Sequence, residues 1–256
     1  MVNLTYTTNR ILPTAEELPS SDETPVDNQL QNDIPNLLLI LLASIWADRD
    51  DWYFGVDMGI YYNPDEPAIV PDGFLSIGVK HDTGERGRLS YVLWEEQNIM
   101  PIFALEVVSE RYNSEYEDKL ADYQALGILY YAIYNPLSGR RGRFKNRQRL
   151  EVYRLIAGKY ELLPIENNRV WLPEIDLALG YEQGEHIAWQ REWLYWYSAS
   201  GDRYLTANER VVNAEIIAAQ ERLAKQQMQA IADQERQQKE KLAAYLRSIG
   251  VDPDAI

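Results

Sequence analysis

The chain contains no cysteine and only two histidines among its 256 residues. A disulfide framework and any thiolate metal site are thereby excluded, and the composition fits a reducing cytosol. His81 and His186 lie far apart and have no ligand-like neighbours, so neither is expected to hold a metal. There is no phosphate-cradling glycine-rich loop and no Gly-x-Ser-x-Gly elbow, which removes the common nucleotide-binding and serine-hydrolase signatures. The longest apolar run, "LLLILLASIW" at 37–46, is about half of the roughly 20 residues a spanning helix needs. The first 25 residues have no basic start followed by an apolar block, so no signal peptide is expected. A soluble, cytoplasmic protein is therefore expected. Positive charge is also scarce: the formal net charge is −15, against a protein that coats nucleic acid through a general basic face.

What is present is a substantial core. Hydrophobic residues make up 46% of the chain, with 18 tyrosines and 7 tryptophans, enough for one sizeable domain with appendages. Residues 1–26, with Pro13, Pro19 and Pro25, read as an extended N-terminal arm. From 27 to 48 the pattern is helical, with Asp27 as the expected N-cap. Strand-like stretches follow at 52–62, 68–79 and 101–109, separated by turn residues. Residues 115–127 alternate at helical spacing and stop at Gly127. Further strands are expected at 128–134, 149–156 and 159–165, the last two joined through Ala157-Gly158. The stretch "WLPEIDLALGYEQG" reads as irregular, and 192–206 as a hairpin turning at Ser200–Asp202. This order predicts a mixed α/β domain over 27–205 with a sheet of five or six strands. From 206 to 256 the composition turns to Glu, Gln, Ala, Arg and Lys, which predicts one long charged helix with weak heptads, a marginal coiled coil.

Three residues carry the chemistry. Glu106 interrupts the apolar strand "MPIFALEVVSE", and burying an unpaired carboxylate costs several kcal/mol. Asp72, in "VPDGF", lies in another strand-like apolar context. If the two strands are neighbours, the carboxylates converge and make an oxygen site for a hard divalent cation such as Mg²⁺. Lys119, in "YEDKLADY", would supply a point charge for phosphodiester hydrolysis. Each has a plainer reading. Pro71-Asp72-Gly73 is a turn tripeptide, Glu106 could sit in a structural ion pair, and Lys119 is four residues from Glu115 on a helix. A structural pair at Glu106 predicts that Asp72 lies elsewhere.

A Pro-Asp on one strand followed by an acid near the end of the next resembles the PD-(D/E)XK restriction-endonuclease-like superfamily. More closely, the segments "NQLQNDIPNLLLILLASIWADR", "VDMGIYY", "VPDGFLSIGV", "LEVVSERYNSEYEDKLADYQALGILYYAIYNP" and "KLAAYLRSIGVDPD" resemble the Uma-two family of bacterial endonucleases. The resemblance implies a mixed central sheet flanked by helices and a Mg²⁺- or Mn²⁺-dependent endonuclease acting on DNA. It implies Asp72 and Glu106 as metal acids, the Val107 backbone carbonyl as a further ligand, and Lys119 as the catalytic lysine. The superfamily's lysine two residues after the acid is Val108 here. On a strand that position shares a face with Glu106, and the family's lysine on the following helix matches Lys119.

Arg140, Arg141, Arg143, Lys145 and Arg147, in the acid-free stretch "RRGRFKNRQR", are candidate phosphate contacts or a solvated loop. The aromatic cluster Trp189, Trp193, Trp196 and Tyr197 reads as strand packing ahead of base stacking. Cutting two strands calls for two sites, so a homodimer is expected, with the C-terminal helix as the contact to itself or to a protein partner. The rival expectation is a non-catalytic nuclease-fold scaffold that binds protein through its acidic surface and helical tail.

Overall fold

A computed structural model describes residues 12–19, 28–81, 84–110, 114–140, 144–250 and 252. Helix α1 (Gln29–Ile45) is the first helix among the described residues. Its N-cap is Asn28, whose Oδ1 accepts from the Leu30 amide at 2.8 Å within a capping box shared with Gln31. The expected cap, Asp27, lies outside the described residues. The apolar stripe Ile34, Leu37, Leu38, Leu41 and Leu42 is fully buried, as helical spacing requires of a core-facing helix.

Six strands form the central sheet in the order β1-β3-β5-β6-β7-β8. They are β1 (Trp52–Val56), β3 (Gly73–Ile77), β5 (Phe103–Val107), β6 (Tyr130–Tyr134), β7 (Leu150–Ile156) and β8 (Lys159–Leu162). Every pairing is antiparallel except β5 with β6. That parallel pair is joined by α2 (Asp118–Leu126), because parallel neighbours need a crossover. β7 and β8 turn through Ala157 and Gly158, both at positive φ, as a two-residue hairpin demands. A short parallel pair, β2 (Ile60–Tyr61) with β4 (Tyr91–Val92), flanks the sheet.

Strand alternation sorts β5 between two cores. Phe103, Leu105 and Val107 pack into the cluster that holds α1, whereas Ala104 and Val108 join Tyr123 and Leu126 of α2. The α1 side is closed by a second sheet, β9 (Arg169–Leu172), β10 (Leu177–His186) and β11 (Trp189–Tyr197), with β10 in the middle. The Trp196 indole, buried in that layer, donates to the Leu38 carbonyl at 3.1 Å.

This second sheet corrects two expectations. The stretch read as irregular, 171–184, contains the end of β9 and most of β10, and the partner of 192–197 is β10, through a turn at Ile187-Ala188. The expected turn does exist, with the Ser198 amide donating to the Asp202 carbonyl, but it returns only through a single bridge from Tyr197 to Arg203. The described part of the N-terminal arm, 12–19, is also tied down. The Pro13 carbonyl accepts from the Trp94 indole and the Pro19 carbonyl from the Tyr61 hydroxyl, each at 2.7 Å.

Residues from Leu205 onward form a separate unit built on α3 (Ala207–Ser248). Thr206 and Glu209 make a capping box at its start, and none of its residues is buried. Among the described residues no helix is long and apolar enough to cross a membrane.

Candidate metal centre

Asp72 immediately precedes β3, and the β3–β5 register pairs Gly73 with Leu105. Continuing that antiparallel register by one residue sets Asp72 opposite Glu106. Two acids directly opposite on one sheet face repel each other. The structure therefore brings together the two carboxylates that the sequence singles out. Gly73 lets α1 close over this point: a Cβ there would lie 3.1 Å from Pro35 Cβ and 3.2 Å from the Phe54 ring.

Both acids are withdrawn from solvent, Glu106 to 1% and Asp72 to 8% exposure. One oxygen of Asp72 accepts the Val107 amide at 2.6 Å. That contact lays the carboxylate against the backbone of the residue expected to give a carbonyl ligand. Glu106 is held at both oxygens. Oε2 meets the Lys119 ammonium at 2.7 Å and Oε1 accepts the Tyr123 hydroxyl at 2.6 Å. Lys119 thus turns inward to Glu106, and Glu115, four residues earlier in the turn ahead of α2, is itself buried.

The electrostatics follow from this inventory. Burial pushes the Asp72 carboxyl well above the usual range, and the Glu106 charge adds to it. The Val107 amide and Lys119 pull the other way. Glu106 is also raised by burial, against the opposing effects of Lys119 and Tyr123. Burial alone would depress Lys119, but the charge and hydrogen bond of Glu106 together with the charges of Asp72 and Glu115 outweigh it and raise the ammonium above its ordinary value. Glu115 adds to the negative field felt by Glu106 and Lys119, and exposed Asp57 adds to that at Asp72. Lys119 thus lies within the field of three buried carboxylates. A site so loaded attracts either protons or a further cation.

The donor set fits a hard divalent ion. Mg²⁺ is commonly held by one or two carboxylates and completes its shell with water and substrate phosphate. Among the described residues no group of three His, Cys, Asp or Glu side chains is arranged to hold a metal. Asp72 and Glu106 are two buried carboxylates that meet at this point of the sheet.

Val108, in the place of the superfamily lysine, is fully buried beside Tyr123 and Tyr131. The ammonium instead reaches Glu106 from α2. Tyr123 and Glu115 are the site residues that the sequence reading passed over. The signal for Tyr123 was its spacing, four residues after Lys119 and so on the same helical face. Glu115 gave a weaker signal, since it reads as half of a surface pair.

The basic stretch is partly committed elsewhere. Arg147 lies 3.9 Å over the Tyr116 ring, and the Tyr116 hydroxyl accepts from Asn135 at 3.0 Å. Arg140 and Lys145 are exposed, and Arg141 and Arg143 lie outside the described residues. Of the aromatic cluster, Trp193, Trp196 and Tyr197 are buried as strand packing, whereas Trp189 is exposed.

No curated protein matches the chain. A crystal structure titled as a "putative nuclease belonging to DUF820" from Anabaena variabilis aligns with 57% of this chain and 74% of its own, at 12% identity and a TM-score of 0.39. The family model described as "Putative restriction endonuclease" matches residues 22–190, and the chain belongs to that family, Uma2.

Proposed function

We propose that the protein is a divalent-metal-dependent endonuclease that hydrolyses DNA phosphodiester bonds. The observation that supports this most directly is the pairing of two buried carboxylates, Asp72 and Glu106, across adjacent strands, with the partly exposed ammonium of Lys119 on Glu106. Asp72, Glu106 and the Val107 carbonyl are the ligands for Mg²⁺ or Mn²⁺. Such an ion, when bound, lowers the pKa of a water and offsets negative charge on a phosphate. Lys119 retains 20% of its side-chain exposure, and its long stem lets the ammonium leave Glu106 for a phosphate oxygen or the attacking water. Family membership supports the same reaction class.

Arg140 and Lys145 are assigned to the DNA backbone, where contacts position the duplex without reading sequence. α3 is assigned to self-association, since a second copy supplies the second cut of a duplex.

The deciding experiment is cleavage of plasmid and single-stranded DNA with Mg²⁺ or Mn²⁺ by the purified chain, beside Asp72→Ala and Glu106→Ala, with metal binding followed by calorimetry. Metal-dependent cleavage lost in both variants is the expected result. A chain that neither binds metal nor cuts would overturn the reading and favour a non-catalytic scaffold.

A further inference from the structure

We infer that Tyr123 is a positioning residue for the metal centre: its hydroxyl fixes the Glu106 carboxylate in the orientation that presents its free lone pairs to a cation. The inference rests on the metal-site reading above and adds a residue to it.

Glu106 has two partners of different character. Lys119 is a cation on a flexible stem, partly exposed, and its proposed task takes it to substrate. Tyr123 is neutral, fully buried and rigidly packed. Its ring lies 4.8 Å from that of Tyr131, and Val108 and Ile128 belong to the same buried cluster. The hydroxyl therefore cannot follow Lys119 outward. Once the ammonium leaves, the 2.6 Å bond from Tyr123 is the contact that still holds the carboxylate. An ionised carboxylate has about four acceptor sites over its two oxygens. One donor on Oε1 leaves that oxygen a further lone pair and Oε2 both of its own, so Tyr123 holds Glu106 without competing for it. Outer hydrogen bonds of this kind orient metal ligands, and their removal costs roughly 10–100-fold in metal affinity.

Around Glu106 the other charged or titratable groups are Asp72 at the start of β3, Lys119 on α2, Glu115 just before it, and Tyr131 on β6. Tyr131 provides the control. It is equally buried and in ring contact with Tyr123, but its hydroxyl donates to the Glu115 carbonyl at 2.7 Å and not to a proposed ligand.

The test is Mn²⁺ titration of the full chain, read by loss of the free-ion electron paramagnetic resonance signal. The low-temperature spectrum of the bound ion is recorded as a report on its coordination symmetry. Tyr123→Phe should weaken Mn²⁺ binding about 10–100-fold and change the bound-ion spectrum, whereas Tyr131→Phe should stay within about twofold of the parent. Unchanged binding in Tyr123→Phe, or an equal loss in Tyr131→Phe, would overturn the assignment. If Tyr123→Phe does not fold, a fluorotyrosine placed at 123 keeps the ring and alters the hydrogen bond. An affinity equal to the parent's then counts against the proposal. Failure of the parent chain to bind Mn²⁺ sinks the metal-site reading itself, which separates the two failures.

Discussion

The Val107 amide and the Asp72 carboxylate lie 2.6 Å apart, so the first residue before β3 is tied to the last residue of β5. Asp72→Asn keeps that acceptor and removes only the charge. Because burial and Glu106 raise the Asp72 carboxyl in the folded chain, the native state binds its proton more readily than the unfolded state. Stability from this group is therefore lost as pH rises from the unfolded carboxylate value through the folded one. In metal-free buffer Asp72→Asn should melt higher than the parent at pH 7.5, and the gap should close as pH falls toward 4. Thermal melts of both chains across that range check it, and a less stable asparagine variant at neutral pH would contradict it.

Lys119 is the one cation paired with Glu106 among the described residues. Lys119→Met should destabilise the metal-free chain by about 3 kcal/mol, because a buried acid loses its counter-charge. Saturating Mg²⁺ should recover much of the loss in a urea melt. DNA cleavage should fall on the order of 100-fold and stay low with Mg²⁺ present.

Val108, one residue past β5, continues the face that carries Glu106, so a lysine can be moved to where the superfamily carries it. Val108→Lys alone should destabilise by about 2 kcal/mol or more, by burying a second ammonium in an apolar cluster. Combined with Lys119→Met it should be less harmful than the sum of the two, with a coupling of about 1 kcal/mol or more. Additivity within error in the four-variant cycle would show that position 108 cannot reach Glu106.

α3 buries none of its residues. A chain ending at 205 should keep its near-ultraviolet circular dichroism, and its unfolding free energy from a urea melt should stay within about 0.5 kcal/mol of the parent. Light scattering should show the parent as the larger species and the shortened chain as a monomer.

Arg140→Ala and Lys145→Ala should each weaken DNA binding without changing sequence preference. Each should lower the slope of log affinity against log salt by about one. Titrations at four salt concentrations give that slope directly.

The central sheet was legible because its strands are short, apolar and bounded by turn residues, and because β7 and β8 meet at a glycine in the left-handed region. β10 was not. Gly180 and Gly184 look like breakers in its sequence, but both lie under side chains of β11. A Cβ at Gly180 would meet the Tyr197 ring at 2.9 Å, and one at Gly184 would collide with the Tyr195 hydroxyl. They are small because another residue lies across them, which no local pattern reveals. The following turn is equally silent: Ile187 and Ala188 adopt positive φ without the usual Asn or Gly. At the site, Asp72 and Glu106 stood out because a charge in an apolar strand is costly. Tyr123 did not, since a tyrosine in an amphipathic helix reads as ordinary packing.

The ammonium and the hydroxyl that hold Glu106 both come from α2, a helix of nine residues whose N-cap, Glu117, makes no side-chain capping bond. The carboxylates, by contrast, are anchored to the sheet. The centre is thus closed by a latch whose two teeth are one turn apart on a single short element. Unfolding of that element as a whole withdraws both at once and strips Glu106 of its two partners, while Asp72 keeps its bond from the Val107 amide. Hydrogen exchange at the α2 amides then measures how often Glu106 loses both partners while the rest of the domain stays folded.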